Sequence, residues 1–310
     1  MSTVVVDGLE KSYENLKAVD GISFEVKKGE VFSLLGPNGA GKTTTIEILE
    51  GLRERDKGTV SVLGMDPWHK GYEIHKRIGV IPQGFKFLDY PTPREAIRYY
   101  AALFGTKVDP DELLRRVILE DAGDVYFMKL SGGQKQKVGL ALSLVNNPEM
   151  VFLDEPTTGL DPAARRAMWE VIRNLKKEGR SVLLTTHYLE EAEELADRVA
   201  IMNHGKIITM GTPTEIIARH GSGESLTVHA EKRLADYVSE NSHLKAEYDS
   251  KGVVTIHLEQ KNDVIIAMGI IQESGIHWST LSTKRDSLED IFVRMVGEDI
   301  SEKGELVKAK

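Results

Sequence analysis

Gly36-Pro37-Asn38-Gly39-Ala40-Gly41-Lys42-Thr43 is the segment whose residue types and spacing most directly specify chemistry. Its glycines let the backbone curl until several N–H groups face one anion. A helix starting at Lys42 would add roughly half a positive charge at the same point. The Lys42 ammonium suits the β- and γ-phosphates of a nucleotide, and the Thr43 hydroxyl suits Mg²⁺, with Thr44 next on the same turn. The bare pattern arises by chance in roughly one chain of this length in a hundred. Its position between an apolar strand and a helix is what gives it weight.

Two further segments fit the same chemistry. Met150-Val151-Phe152-Leu153 reads as a buried strand, and Asp154 and Glu155 emerge at its C-terminal end, where ligands sit in open α/β sheets. Asp154 can hold Mg²⁺ through water, and Glu155 can orient and deprotonate an attacking water. Taken alone, an acidic pair after a strand is often a helix cap. The other segment, Leu130-Ser131-Gly132-Gly133-Gln134, is a second helix start with a serine cap and two glycines, hence another anion cradle. Two cradles about 90 residues apart on one chain suggest that they meet across a dimer.

Strands and helices must hold these loops. Val4 and Val6, then Ile22, Phe24 and Val26, alternate with polar residues and predict antiparallel strands. Val31–Leu35 is a continuous apolar run, as a strand buried on both faces requires, and a helix from about Lys42 to Gly51 follows the glycine loop. From about 84 to 147 the pattern is helical. Helices begin at Pro93, at Asp109-Pro110 and near Ser131, the last carrying Val138, Leu140, Ala141, Leu144 and Val145. Strand–helix alternation then resumes. It comprises Met150–Leu153, a helix opened by Asp161-Pro162 and closed by Gly179, Val182–Thr186, a helix from Glu190 to Arg198, and a hairpin at Asn203-His204-Gly205. The Glu190–Glu194 cluster reads as a solvated face.

Gly221-Ser222-Gly223 reads as a linker. Beyond it come strand Ser225–Ala230, helix Arg233–Asn241, strands Lys245–Asp249 and Val253–Glu259, helix Asp263–Ser274 and strand His277–Ser282. That order is the βαββαβ of a ferredoxin-like fold, closed by a helix over Ser287–Val296. The expected fold is therefore α/β, with an antiparallel β subdomain and a helical insert, plus a small α+β domain. The expected domains are 1–220 and 224–298, followed by a flexible polar tail, 299–310.

Composition narrows the function. The formal net charge of -8 argues against a chain that mainly grips nucleic acid. The absence of cysteine excludes disulfides and thiolate sites and suits a cytoplasmic chain. We find neither a signal peptide nor a long apolar span, so a membrane role requires a partner.

Together these motifs resemble the ABC ATPase family over about residues 2–220. The phosphate loop (Walker A), the signature Leu130–Gln134 and Asp154-Glu155 stand in the family's order, within a P-loop NTPase fold. The resemblance assigns Tyr13 to adenine stacking, Gln83 to the Q-loop, Gly159-Leu160-Asp161 to the D-loop and His187 to the switch position. Each has a plainer alternative: a strand-edge aromatic, a loop amide, a helix cap and a structural histidine. By resemblance, MgATP lies between the phosphate loop of one copy and Ser131–Gly133 of another. Gln83 senses Mg²⁺ and the nucleophile, and a separate transmembrane subunit docks beside the Q-loop, near Phe85, Phe87, Leu88 and Tyr90. Those four could equally be core. Ser287-Leu288-Glu289-Asp290-Ile291-Phe292 resembles the ending of drug-resistance and sodium-extrusion ATPases, which implies an exporter; an ordinary docking helix is the alternative. A soluble ABC ATPase acting in regulation or assembly is the alternative function.

Overall fold

The computed structural model describes residues 1–308 except 222, 259, 261 and 302. Strands β1 (Ser2–Tyr13) and β2 (Leu16–Lys27) pair antiparallel, with Val4 opposite Val26 and Val6 opposite Phe24. Their alternating apolar side chains are buried, as period-two patterning requires. Strand β3 (Val31–Leu35) is buried at every position. After the glycine loop comes helix α1 (Lys42–Leu49). Strand β4 (Lys57–Val62) then pairs with the free edge of β1, completing a three-stranded sheet.

Helix α2 (Gly71–His75) and strand β5 (Ile78–Ile81) follow. Sequence patterning found neither β4 nor β5. The first begins Lys57-Gly58-Thr59, with no apolar side chain, and the second is too short to show a period.

The helical insert contains α3 (Pro93–Phe104), α4 (Pro110–Arg116) and α5 (Gly132–Ser143). Thr92 and Glu95 form a reciprocal capping box at the start of α3, and the Asp109 side chain caps α4. Ile97, Leu113, Leu114, Val138 and Leu140 join one apolar cluster. Leu144 and Val145 lie just past the end of α5 and are buried all the same.

Next come β6 (Met150–Asp154), α6 (Pro162–Lys177), β7 (Ser181–Thr186), α7 (Leu189–Leu195), β8 (Arg198–Asn203) and β9 (Lys206–Gly211). Helix α7 stops earlier than its pattern predicts, and Arg198 opens β8. A six-stranded sheet runs in the order β5-β6-β7-β3-β8-β9, parallel except for the β8–β9 hairpin. His204 and Gly205 both adopt positive φ in that hairpin, as a tight two-residue turn demands. The order places the C-terminal ends of β3, β7 and β6 side by side. The glycine loop, His187 and the acidic pair therefore leave the sheet along one edge.

Helix α8 (Pro213–His220) leads into a second compact unit, Thr214–Gly297, so that unit begins before the expected linker. It contains β10 (Glu224–Ala230), α9 (Lys232–Asn241), β11 (Ala246–Tyr248), β12 (Val253–Leu258), α10 (Asp263–Glu273), β13 (Trp278–Arg285) and α11 (Leu288–Val296). The antiparallel sheet order β11-β12-β10-β13 is that of a ferredoxin-like fold, with its own core around Leu226, Val228, Leu234, Val254 and Ile256. Ser222 of the expected linker and Glu259 of the expected strand lie outside the described residues.

The C-terminal segment departs from the flexible tail that its polar composition suggested. Strands β14 (Glu298–Ile300) and β15 (Leu306–Lys308) form a hairpin, and this segment groups with Met1–Pro213 in the first unit. Residues 302, 309 and 310 of that tail lie outside the described residues. Among the described residues no helix is long and apolar enough to cross a membrane.

Candidate active site

The glycine loop is shaped by close backbone approaches. A Cβ on Gly36 would lie 2.3 Å from the Met202 carbonyl of β8, and one on Gly41, at φ 101, would lie 2.2 Å from the Ala18 carbonyl. Neither position accepts a side chain. The Gly36 N–H donates to the Thr186 carbonyl at 3.2 Å, pinning the loop to β7. Pro37 and Ala40 are buried, whereas Asn38 and Gly39 form the exposed crown of the loop.

Lys42 is buried beneath that crown. Its ammonium donates to the carbonyls of Gly36 at 2.8 Å and Pro37 at 3.0 Å, and faces the Glu155 carboxylate at 3.3 Å. Burial lowers its pKa, while the charges of Glu155 and Asp154 oppose that shift. The Thr43 hydroxyl donates to Asp154 Oδ1 at 3.4 Å. These two oxygens are hard donors of the kind Mg²⁺ takes. Thr44 is half-buried on the same turn, and the Thr45 hydroxyl bonds back to the Gly41 carbonyl at 2.8 Å.

Asp154 ends β6 directly opposite Thr185 in the parallel register, and the Thr185 hydroxyl donates to its carboxylate. Burial pushes the Asp154 carboxyl up, and the hydroxyls of Thr185 and Thr43 pull it back. Glu155 follows with φ 49, a left-handed conformation that costs a β-carbon residue about 1 kcal/mol. Its N–H donates to the Thr185 carbonyl at 3.2 Å and hydroxyl at 3.0 Å, which hold that turn.

The Glu155 carboxylate faces four groups. One oxygen faces Lys42. The other accepts from the Gln83 amide at 3.2 Å and the Thr158 hydroxyl at 3.0 Å, and lies 3.2 Å from His187 Nδ1. Burial pushes this carboxyl up, but the His187 hydrogen bond and the charges of Lys42 and His187 outweigh it and hold the pKa at about 2. Lys42, Thr43, Gln83, Asp154, Glu155 and His187, scattered over 146 positions, thus meet in one cluster.

The other expected residues stand elsewhere. Ser131 caps α5, and with Gln134 it completes a reciprocal capping box that leaves Ser131 and Gly132 exposed. Gly133 packs against α6, where a Cβ would meet Ala164 at 2.8 Å. Asp161 is the N-cap of α6, accepting from the N–H groups of Ala163 and Ala164 at 2.9 Å each. Tyr13 ends β1 with the Arg53 guanidinium 5.1 Å over its ring. Phe85 and Phe87 pack with Phe127, at centroid distances of 6.1 Å and 5.6 Å, while Leu88 and Tyr90 are exposed.

Three further groups escaped the sequence reading. Thr158 and Thr185 hold the acidic pair, but hydroxyls at such positions carry no distinctive pattern. Glu191 corrects the expectation of a solvated glutamate face. It is fully buried, and its carboxylate accepts from Thr157 and from the Trp169 indole, at 2.8 Å each. Its spacing with Leu195 on one face of α7 is the signal that could have revealed it.

An anion loop beside a buried lysine, a hydroxyl–carboxylate pair and a carboxylate ringed by amide, hydroxyl and imidazole is suited to phosphoryl transfer to water. Comparison with known proteins agrees. The sequence profile of the family described as ABC transporter matches residues 19–158. The daunorubicin resistance ATP-binding protein DrrA3 of Streptomyces coeruleorubidus is 36% identical over 96% of this chain and 97% of its own length. The Nod factor export ATP-binding protein I of Burkholderia pseudomallei (strain 1710b) is 36% identical over 97% of this chain and 99% of its own. A solved ATP-binding subunit of an ABC transporter superposes with a TM-score of 0.63 at 31% identity, covering 71% of this chain and 94% of that one. Likeness of this depth along nearly the whole chain, on a fold that brings the nucleotide motifs to one sheet edge, makes the protein a member of the ABC transporter family and an ATP hydrolase.

Proposed function

We propose that the chain powers export of a solute through a separate membrane subunit, by ATP-driven closing and opening of a dimer of two copies. The observation that carries export is the reach of the likeness. The daunorubicin-resistance and Nod-factor-export proteins match across both units, not across the ATP-binding unit alone.

In this reading the loop Gly36–Thr44 and Lys42 hold the β- and γ-phosphates, and Tyr13 stacks on adenine. Thr43, and Asp154 through water, would hold Mg²⁺ with Gln83 beside it, and the ion would supply charge neutralisation of the phosphates. Glu155 orients and deprotonates the attacking water, and His187 contacts the γ-phosphate. Ser131, Gly132 and Gly133 of the second copy, on a helix start held by Gln134, close the site from the far side, with Asp161 at the same seam.

The membrane subunit fits a cleft of about 460 Å³ beside the Q-loop, walled by Ile78, Val80, Pro82, Phe85, Tyr100 and Leu142. An apolar helix end from the partner would fill it. The chain would then work at the cytoplasmic face of the membrane.

The test is to trap the closed dimer as tagged Glu155→Gln protein with MgATP and purify it from detergent-solubilised membranes. A stoichiometric polytopic membrane protein is expected. A self-dimer free of membrane protein under all detergent and salt conditions would sink the transport reading and favour a soluble ABC ATPase.

A further inference from the structure

The hairpin β14–β15 ends on the nucleotide loop. Its turn is closed by the Ser301 N–H donating to the Glu305 carbonyl at 2.9 Å and the Gly304 N–H donating to the Ser301 carbonyl at 2.8 Å. The Ser301 hydroxyl accepts from the Glu305 N–H at 3.1 Å. At the tip, the Gly304 carbonyl accepts from the Asn38 N–H at 2.5 Å, and the Lys303 carbonyl accepts from the Asn38 side-chain amide at 2.7 Å. Gly304 is buried there with φ 78, and a Cβ would fall 2.7–2.9 Å from the Asn38 side chain. At that φ a side chain is strained whatever the space, and the Asn38 amide would have to give way to it.

Asn38 belongs to the exposed crown of a loop whose N–H groups are anion donors. Its backbone donor and its amide are both committed to peptide carbonyls, which offer the same acceptor chemistry as phosphate oxygens. Lys42 is held inward on the Gly36 and Pro37 carbonyls. The hairpin tip therefore grips the crown from one side, at Asn38, while Asn38 and Gly39 keep an exposed face. A two-stranded hairpin is only marginally stable by itself, so such a grip can release without unfolding anything else.

We propose that the C-terminal hairpin is an autoinhibitory strap: its tip holds the crown of the phosphate loop and competes with ATP and with a second copy of this chain. Its action on ATP rests on the loop alone; its action on the second copy rests on the composite-dimer reading above.

Two full-length variants loosen the strap from different sides. Gly304→Val drives the tip off Asn38, and Ser301→Pro removes a donor that closes the turn. Binding of a fluorescent ATP analogue and ATP-driven dimerisation by light scattering are measured in each, in a Glu155→Gln background chosen to slow turnover. Both variants are expected to bind the analogue about tenfold more tightly, the scale of two released hydrogen bonds. They should also dimerise at correspondingly lower ATP. Unchanged or weaker binding by both, with circular dichroism intact, overturns the strap even where ATP-driven dimerisation persists. Tighter binding by both without dimerisation in any of the proteins supports the strap and removes the composite dimer instead.

Discussion

The ammonium of Lys42 lies 3.3 Å from the carboxylate of Glu155, with both side chains only 3% exposed. The group suited to hold phosphate and the group suited to activate water therefore form one buried ion pair. Removing either partner leaves a buried charge, which costs about 3–5 kcal/mol in such pairs.

Glu155→Gln is expected to bind ATP and hydrolyse it about 10²–10⁴-fold more slowly, the scale for losing a general base. Single-turnover measurement with labelled ATP decides this. Near-normal turnover would remove Glu155 from that role.

The same variant should change acid stability. Glu155 sits at about 2 in the fold against an ordinary 4.5, so it stabilises the native state fully above pH 4.5. That contribution, about 3 kcal/mol, is lost as pH falls from 4.5 toward 2. Urea titrations should show the wild-type advantage over Glu155→Gln shrinking across that window. A constant difference would contradict the pairing.

Glu50 has the opposite sign. Burial, with the charges of Asp154 and Glu47, pushes its carboxyl up to about 8, and one of its oxygens has no hydrogen-bond partner. The folded chain keeps the proton at pH values where the unfolded chain has lost it. Stability should therefore fall as pH rises from 4.5 to 8. Glu50→Gln should melt at a higher temperature than wild type at pH 8 and near the same temperature at pH 4.5.

Glu191→Ala should destabilise by about 2–4 kcal/mol, because the Trp169 indole and the Thr157 hydroxyl lose their buried acceptor. Glu191→Gln, which keeps an acceptor oxygen, should cost clearly less. Denaturant unfolding followed by tryptophan fluorescence separates the two.

Mixing Ser131→Arg chains with Glu155→Gln chains tests the composite site. Each mixed dimer should hold one intact site, made from the Glu155 of the Ser131→Arg chain and the Ser131 of the Glu155→Gln chain, and one doubly defective site, whereas neither homodimer holds an intact one. If each defect stayed confined to the nucleotide bound by its own chain, the trans arrangement would be wrong.

The nucleotide loop and the acidic pair were legible because each needs specific residue types at the end of a strand, whereas Gln83 and His187 were singled out only through the family resemblance. Thr185 was hidden because its role comes from register: it acts on Asp154 only because β6 and β7 pair them. Thr158 reaches Glu155 across the Pro156-Thr157 turn, where a hydroxyl three residues on carries no distinctive pattern. Glu191 was misread by counting charge rather than helix phase. The same weakness concealed the C-terminal hairpin, whose six paired positions carry too few apolar side chains to show a strand period.

That hairpin also changes how the second unit is tethered. Thr214–Gly297 is threaded between two segments of the first unit, so it is leashed at both ends rather than trailing from one. A double leash restricts the volume a domain can sample far more than a single linker does, and so raises its effective concentration near its neighbour. Detaching the hairpin tip from Asn38 loosens one of those leashes. An event at the nucleotide loop that frees the hairpin therefore changes the tether of a segment more than eighty residues long.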